Sequence, residues 1–146
     1  MTSRLTHETC ATLSRAFTLS PIPASVPVAR KWVRQLLDRW DLAVFKWRTE
    51  LLVTELFTNA IKHACTGGAT VTGLVMYAGG TLRVEVHDRD TNHLPVRRQA
   101  PPGNASGHGL LIVETYADRW GVRLNETSKA VWCELDTPST RKAVSR

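Results

Sequence analysis

The sequence predicts an α+β domain, a two-layer α/β sandwich in which a mixed, mostly antiparallel sheet carries three main helices on one face. Three observations favour this class. The strand-like segments come mostly as adjacent hairpins, whereas a doubly wound parallel sheet would alternate strands strictly with helices. Three other segments carry helical apolar spacing. The length of 146 residues suits one domain with a core of its own.

The expected order of elements is strand, helix, helix, hairpin, long loop, helix, hairpin. A domain from 14 to 136 would follow an N-terminal extension, 1–13, and precede a flexible tail, 137–146. The first strand is expected over residues 14–19, where polar and apolar side chains alternate as in a half-buried strand.

The helices are predicted from apolar residues that recur every three or four positions. The first follows Pro27 and runs to Trp40. The second spans about 44–64 and stops at Gly67-Gly68, since glycine commonly ends helices. The third begins at the segment Gly107-His108-Gly109 and is expected to stop at Gly121.

The strands are predicted from β-branched and aromatic residues between turn signals. Residues 69–77 and 81–87 are separated by Ala-Gly-Gly and therefore predict a hairpin. Residues 122–125 and 130–135 form the last pair. Between the hairpins, residues 88–106 have no sustained apolar period, and a loop of this length in a compact domain is usually a lid or a binding loop.

Composition narrows the functional classes. The chain has 19 Lys and Arg against 13 Asp and Glu, a net charge of +6, but these charges fall on helix faces, in a loop and in the tail. No aromatic-interleaved strand accompanies them, so direct nucleic-acid binding is disfavoured. Three scattered cysteines suggest neither a disulfide framework nor a zinc site. No segment has the length and apolarity of a signal peptide or a membrane span, and a cytoplasmic location is expected.

A polar ridge on the second helix is the first candidate site. Glu55, Asn59 and His63 are four residues apart, so they stack along one face beside the apolar stripe. Such a ridge can be an ordinary solvated helix face. Asparagine is a poor helix-interior residue, however, and its position in the middle of a helix invites a functional reason.

Two weaker signals follow along the chain. Asp88 comes directly after the strand 81–87, where a carboxylate can accept a hydrogen bond from a ligand amine or simply open a turn. Gly107-His108-Gly109 opens a helix, where unpaired backbone N–H groups can approach a phosphate or merely join a loop to a helix. Each of these signals alone is weak evidence for a ligand site. The helix ridge, Asp88 and the glycine segment nevertheless follow one another along the chain in an order that points to a family.

This order resembles the Bergerat ATP-binding fold of gyrase, heat-shock chaperones and histidine kinases. It comprises Glu-x-x-x-Asn on a helix, a strand that ends in Asp with Pro95 seven residues later, and a loop that closes with Gly-x-Gly-Leu. The amino-acid sequence of residues 55–64, 117–122 and 131–135 is most similar to that of the stand-alone anti-sigma-factor serine/threonine kinases of actinobacteria. The resemblance covers about residues 14–135.

The resemblance implies a role for each matching position. Asn59 would ligate a Mg²⁺ ion that bridges the phosphates of ATP, Asp88 would receive the adenine amino group, and Glu55 would be the general base. Lys62 and His63 would add polar contacts on the second helix. The glycine box would close over the phosphates, and its members are Gly107, His108, Gly109 and Leu110.

The implied partners are a sigma factor, held by a homodimer of this protein, and an anti-sigma-factor antagonist that accepts the phosphate. A nucleotide-binding interaction module without phosphotransfer is the alternative. It is motivated by Asp90 in place of a glycine, by His108 where relatives often carry arginine, and by Ala130 where a hydroxyl is common. A basic nucleic-acid-binding protein with a fortuitous motif set is a third, less favoured reading.

Overall fold

The structure is a computed structural model that describes residues 12–63, 69–89 and 108–138, apart from the side chains of His63 and His108. The order of its elements agrees with the prediction. The helices and strands are β1 Leu13–Leu19, α1 Ser25–Arg39, a 3₁₀ turn Ala43–Phe45, α2 Lys46–His63, β2 Val71–Ala78, β3 Thr81–Asp88, α3 His108–Tyr116, β4 Arg119–Leu124 and β5 Lys129–Asp136. The predicted extension and tail lie largely outside the described residues.

The five strands form one sheet in the order β1-β2-β3-β5-β4, and every described pairing is antiparallel. Helix α2 packs against β2 and β3, while α1 and α3 flank it. The predicted α+β class with three helices and a largely antiparallel sheet is therefore confirmed. The β2–β3 hairpin turns at Gly79 and Gly80, whose φ angles of 57° and 81° suit the mirror-image turns that join tightly paired strands.

Helix α1 shows how local sequence sets an element's limits. Pro27 is its third residue, a first-turn position where the missing N–H costs little. At the other end Asp41 adopts a left-handed φ of 57°. The N–H of Leu42 then donates to the carbonyl of Leu37 at 2.8 Å, and the N–H of Asp41 donates to that of Asp38. These bonds are a Schellman cap with aspartate where glycine is usual.

The core lies between the helices and one face of the sheet. Strand alternation directs every second residue of β3 and β5 toward the helices. Most of these residues are apolar and almost fully buried, as are the inward residues of α1, the 3₁₀ turn and α2. The core residues include Val33, Leu37, Phe45, Leu52, Phe57, Val84, Cys133 and Leu135. Asp88 and Lys129 are polar exceptions to this pattern.

The prediction that the third helix stops at Gly121 is wrong. Helix α3 ends at Tyr116, and Gly121 lies inside β4, directly opposite Trp132 of β5. Atoms of the Trp132 indole lie only 2.7 to 3.0 Å from the position that a Cβ on Gly121 would take. Gly121 is therefore a place where a strand accommodates a large cross-strand ring, not a helix stop.

Candidate functional site

The polar ridge of the second helix is half-buried in the structure. Glu55 and Asn59 lie one turn apart on α2, each partly shielded from solvent, and Lys62 near the end of the helix is exposed. The neighbouring residues Phe57 and Ala60 are buried in the core. Because this apolar side fixes the rotation of α2, the ridge stays at the border between core and solvent.

The environment of Glu55 favours its protonated form. Partial burial raises the pKa of the Glu55 carboxyl above its usual value of 4.5, and the positive charge of Lys62 opposes that rise. A carboxylate with a raised pKa is a better proton acceptor than one in open water. The position and the basicity of Glu55 are thus compatible with acid–base chemistry.

Asp88 is the last residue of β3 and is buried, with 4% of its surface exposed. It has the same parity along the strand as Leu82, Val84 and Val86, which all belong to the core. Alternation therefore places its carboxylate on the helix-covered face of the sheet. A lone Asp that opens a turn would sit at the surface, so burial favours a structural or ligand-binding role.

Lys129 lies beside the candidate site residue Asp88, although no motif in the local sequence pointed to it. It is the first residue of β5, lies directly opposite Asp88, and has only 1% of its surface exposed. Its Nζ lies 3.6 Å from Oδ2 of Asp88. The burial of Lys129 could have been predicted from its position in the strand. Lys129, Val131, Cys133 and Leu135 occupy every second position of β5 and therefore share its inward face.

The glycine box marks the start of α3. This helix begins at His108, and Leu110 in its first turn is half-buried. Gly107 lies outside the described residues, as do the side chains of His63 and His108. The first turn of any helix presents backbone N–H groups that lack helical partners, as phosphate binding requires.

Chain connections and helix packing bring the three motifs to one end of the domain. The sequence after α2 leads within a few residues to β2, whose Thr72 is opposite His87 near the end of β3. Trp47 at the start of α2 contacts Tyr116 at the end of α3, with ring centroids 5.6 Å apart. This contact, together with the packing of α3 against α2, fits an antiparallel helix pair in which the start of α3 lies toward the half of α2 that carries Asn59.

A second cluster of charges lies on the opposite face of the sheet. Glu85, only 2% exposed, accepts hydrogen bonds from Arg83 at 2.8 Å and Arg123 at 3.4 Å, and bonds the His87 ring at 2.8 Å. Burial alone would raise the pKa of Glu85, but these hydrogen bonds and the charges of Arg83 and Arg123 together hold it below its usual value. This cluster faces away from the three motifs and belongs to the scaffold.

The described residues hold neither a metal-ligand cluster nor a membrane-spanning helix. Among residues 12–63, 69–89 and 108–138, His, Cys, Asp and Glu side chains form no group of three that could hold a metal ion. None of the helices in those ranges has the length and apolarity needed to cross a bilayer.

The chain is similar to a protein family, to a curated protein and to a solved structure. The profile of a family described as "Histidine kinase-like ATPase domain" matches residues 19–134. An uncharacterised protein of Streptomyces coelicolor, SCO4941, is 34% identical over 84 residues, which are 56% of this chain and 79% of that protein. The crystal structure of the RsbU and RsbW domains of Rv1364c from Mycobacterium tuberculosis is similar with a TM-score of 0.57 and 18% identity.

The similarity to the Mycobacterium tuberculosis structure extends over 85% of this chain but only 32% of the other chain, so this chain spans about a third of that protein's length. At this level of identity the match shows a shared fold. The family match and the structural match agree with the α+β architecture described above.

Proposed function

The chain belongs to the histidine kinase-like ATPase domain family, and on that premise we propose that it is an ATP-binding anti-sigma factor with serine/threonine kinase activity. The observation that carries the proposal is the position of Glu55 and Asn59, one turn apart on a half-buried ridge of α2. The order of the motifs and the likeness of residues 55–64, 117–122 and 131–135 to anti-sigma-factor kinases support the finer assignment. Family membership itself implies ATP binding.

ATP would lie between the second half of α2, the end of β3 and the start of α3. Asp88 would accept a hydrogen bond from the adenine amino group, because a buried carboxylate is a strong acceptor. The glycine box would close over the phosphates, with Lys62 and His63 contributing from α2. These roles are those that the resemblance implies for the matching positions.

The residues present also fit a magnesium ion carried by the nucleotide. Asn59 offers a partly buried amide oxygen, a hard donor of the kind that Mg²⁺ accepts together with phosphate oxygens and water. When bound, Mg²⁺ would neutralise phosphate charge during transfer. Asn59 would orient the phosphates relative to Glu55 through this interaction.

The proposed reaction moves the γ-phosphoryl group of ATP to a serine or threonine of the antagonist protein. A bond forms between the hydroxyl oxygen and the γ-phosphorus, the bridging bond to the β-phosphate breaks, and ADP leaves. Glu55 accepts the hydroxyl proton, for which its raised pKa and its place one turn before Asn59 are suited. In this proposal a homodimer of the protein also holds a sigma factor in the cytoplasm.

An interaction module that binds nucleotide without transferring phosphate is the second candidate. It is favoured by Ala130 in β5, which is buried and supplies no hydroxyl beside Lys129. Such a module would use ATP binding alone to adjust a protein interface. Both candidates require nucleotide binding and differ only in phosphotransfer.

The test is phosphotransfer from γ-labelled ATP with Mg²⁺ to proteins of the native cell extract, read by phosphoprotein mass spectrometry after affinity capture. Wild type is expected to label a small partner on serine or threonine, and Glu55→Gln to lose about a hundredfold or more of this rate. Glu126→Gln makes the same chemical change in an exposed turn and should transfer normally. Equal transfer by wild type and Glu55→Gln would show that Glu55 is not the base.

A further inference from the structure

The pairing of Lys129 with Asp88 is unusual because both charged groups are withdrawn from water. Their side chains are 1% and 3% exposed, and Nζ and Oδ2 are 3.6 Å apart. Lysine is almost never fully buried in proteins unless it is paired. The cost of desolvating both ions is substantial, and hydrophobic residues of similar size are often at least as stabilising. Stability alone is therefore a weak reason for this pair.

A lysine next to a buried carboxylate affects which hydrogen bonds that carboxylate can make. A buried carboxylate without a nearby positive charge tends to take up a proton, and a protonated carboxyl can donate a hydrogen bond as well as accept one. An ionised carboxylate only accepts. Two carboxylate oxygens offer about four acceptor sites, so a neighbouring lysine leaves room for a ligand donor.

We propose that Lys129 is a positioning residue that keeps Asp88 ionised and thereby makes the site select a purine with an amino group at position 6 over one with a carbonyl oxygen. This inference rests on the proposed function, in which Asp88 meets the base. An acceptor-only Asp88 attracts the amino group of adenine and repels the carbonyl oxygen of guanine. Sites built on such buried hydrogen bonds discriminate strongly, because the wrong ligand leaves a buried polar group unmatched.

Other ionisable groups surround the pair, and the test must separate them from it. Helix α2, which packs on β3, carries Glu55 and Lys62. On β3 itself His87 points to the opposite face and contacts Glu85, and Arg89 follows at the exposed end. Histidines 63 and 108 would affect ATP and GTP alike if they contact the shared triphosphate. A ratio of ATP to GTP affinity therefore isolates recognition of the base.

The experiment measures Mg-ATP and Mg-GTP affinity by calorimetry for wild type, Lys129→Met and Lys129→Gln. Wild type is expected to prefer ATP at every pH. In both variants Asp88 should take up a proton more readily than in wild type, so the preference should fall about tenfold or more toward the acid end of the pH series and recover toward its alkaline end. Lys31→Met, which removes an equally positive charge from the exposed face of α1, should behave as wild type.

Each outcome decides the inference. A variant preference that equals wild type across the pH range would overturn it while leaving the proposed function intact, whereas a wild type that binds neither nucleotide would overturn both. If the variants do not fold, ¹³C NMR of the wild-type Asp88 carboxyl, assigned with Asp88→Asn, supplies the answer. The carboxyl must be ionised throughout the neutral range, and a protonated Asp88 there would refute the inference.

Discussion

Phe17 of β1 lies directly opposite Gly73 of β2, and its ring occupies the space that a side chain on Gly73 would need. The ring also packs against Trp32 of α1, with centroids 4.1 Å apart, and against Phe57 of α2, with centroids 5.4 Å apart. One aromatic residue on an edge strand thus joins the sheet to both long helices. The helix that carries Glu55 and Asn59 is positioned in part by this contact.

Gly73→Ala should destabilise the domain by about 1 to 3 kcal/mol, because the new methyl group overlaps the Phe17 ring and crowds Phe57. Urea denaturation measures the change. Phe17→Leu in the same chain shortens the opposing side chain, so the double variant should lose less than the sum of the two single changes. Strict additivity would show that Gly73 and Phe17 are not sterically coupled.

Glu55→Gln should raise the melting temperature at neutral pH while it abolishes phosphotransfer. Since burial raises the folded-state pKa of Glu55 above 4.5, the native state binds more protons than the unfolded state in the window just above that value. Stability therefore falls as pH rises through the window and stays lower once Glu55 is ionised. Differential scanning calorimetry at several pH values should find that Glu55→Gln melts at a higher temperature than wild type above this pH window. At acid pH the two melting temperatures should be equal.

Glu85→Gln should behave in the opposite way. The folded-state pKa of Glu85 is lowered from 4.5, so its stabilising contribution is present above that value and disappears as pH falls through the folded value. Loss of charged hydrogen bonds should cost about 1 to 3 kcal/mol at neutral pH. In urea titrations the difference in unfolding free energy between wild type and Glu85→Gln should disappear on acidification. A difference that stayed constant from neutral to acid pH would show that the ionisation of Glu85 does not stabilise the fold.

Cys133 should resist thiol reagents in the native protein. Its side chain is fully buried in β5, and burial raises the pKa of the thiol to about 12. Only the thiolate reacts, so labelling requires local or global unfolding. In a chain that carries Cys10→Ser and Cys65→Ser, a chromogenic disulfide reagent should modify Cys133 only after denaturant is added. Prompt native labelling would contradict this burial.

Much of the fold could be predicted because its signals are local. The spacing of apolar residues in α1 and α2, and the adjacent glycines Gly79 and Gly80, depend on neighbours within a few positions. Gly121 was assigned wrongly for a related reason. A glycine that ends a helix and a glycine that admits a cross-strand ring look alike in sequence, and only the pairing with Trp132 separates them.

The site was predictable only in part for a similar reason. Glu55 and Asn59 are four positions apart on one helix, so the ridge that they form could be predicted from their spacing alone. The contact between Asp88 and Lys129 joins residues 41 positions apart and depends on the register of β3 against β5. Lysine is usually exposed, so composition points away from its burial. Long-range register is the information that single-sequence reasoning lacks.

The most direct test of the nucleotide site is calorimetric titration of Mg-ATP into wild type, Asn59→Ala and Asn125→Ala. Asn125 lies in the exposed β4–β5 turn and provides the matched control. We expect wild type and Asn125→Ala to bind one nucleotide per chain with equal affinity and Asn59→Ala to bind at least about tenfold more weakly, since a lost metal-orienting ligand typically has an effect of this size. Binding by Asn59→Ala that matches wild type, or no binding by wild type, would contradict the placement of the site on α2.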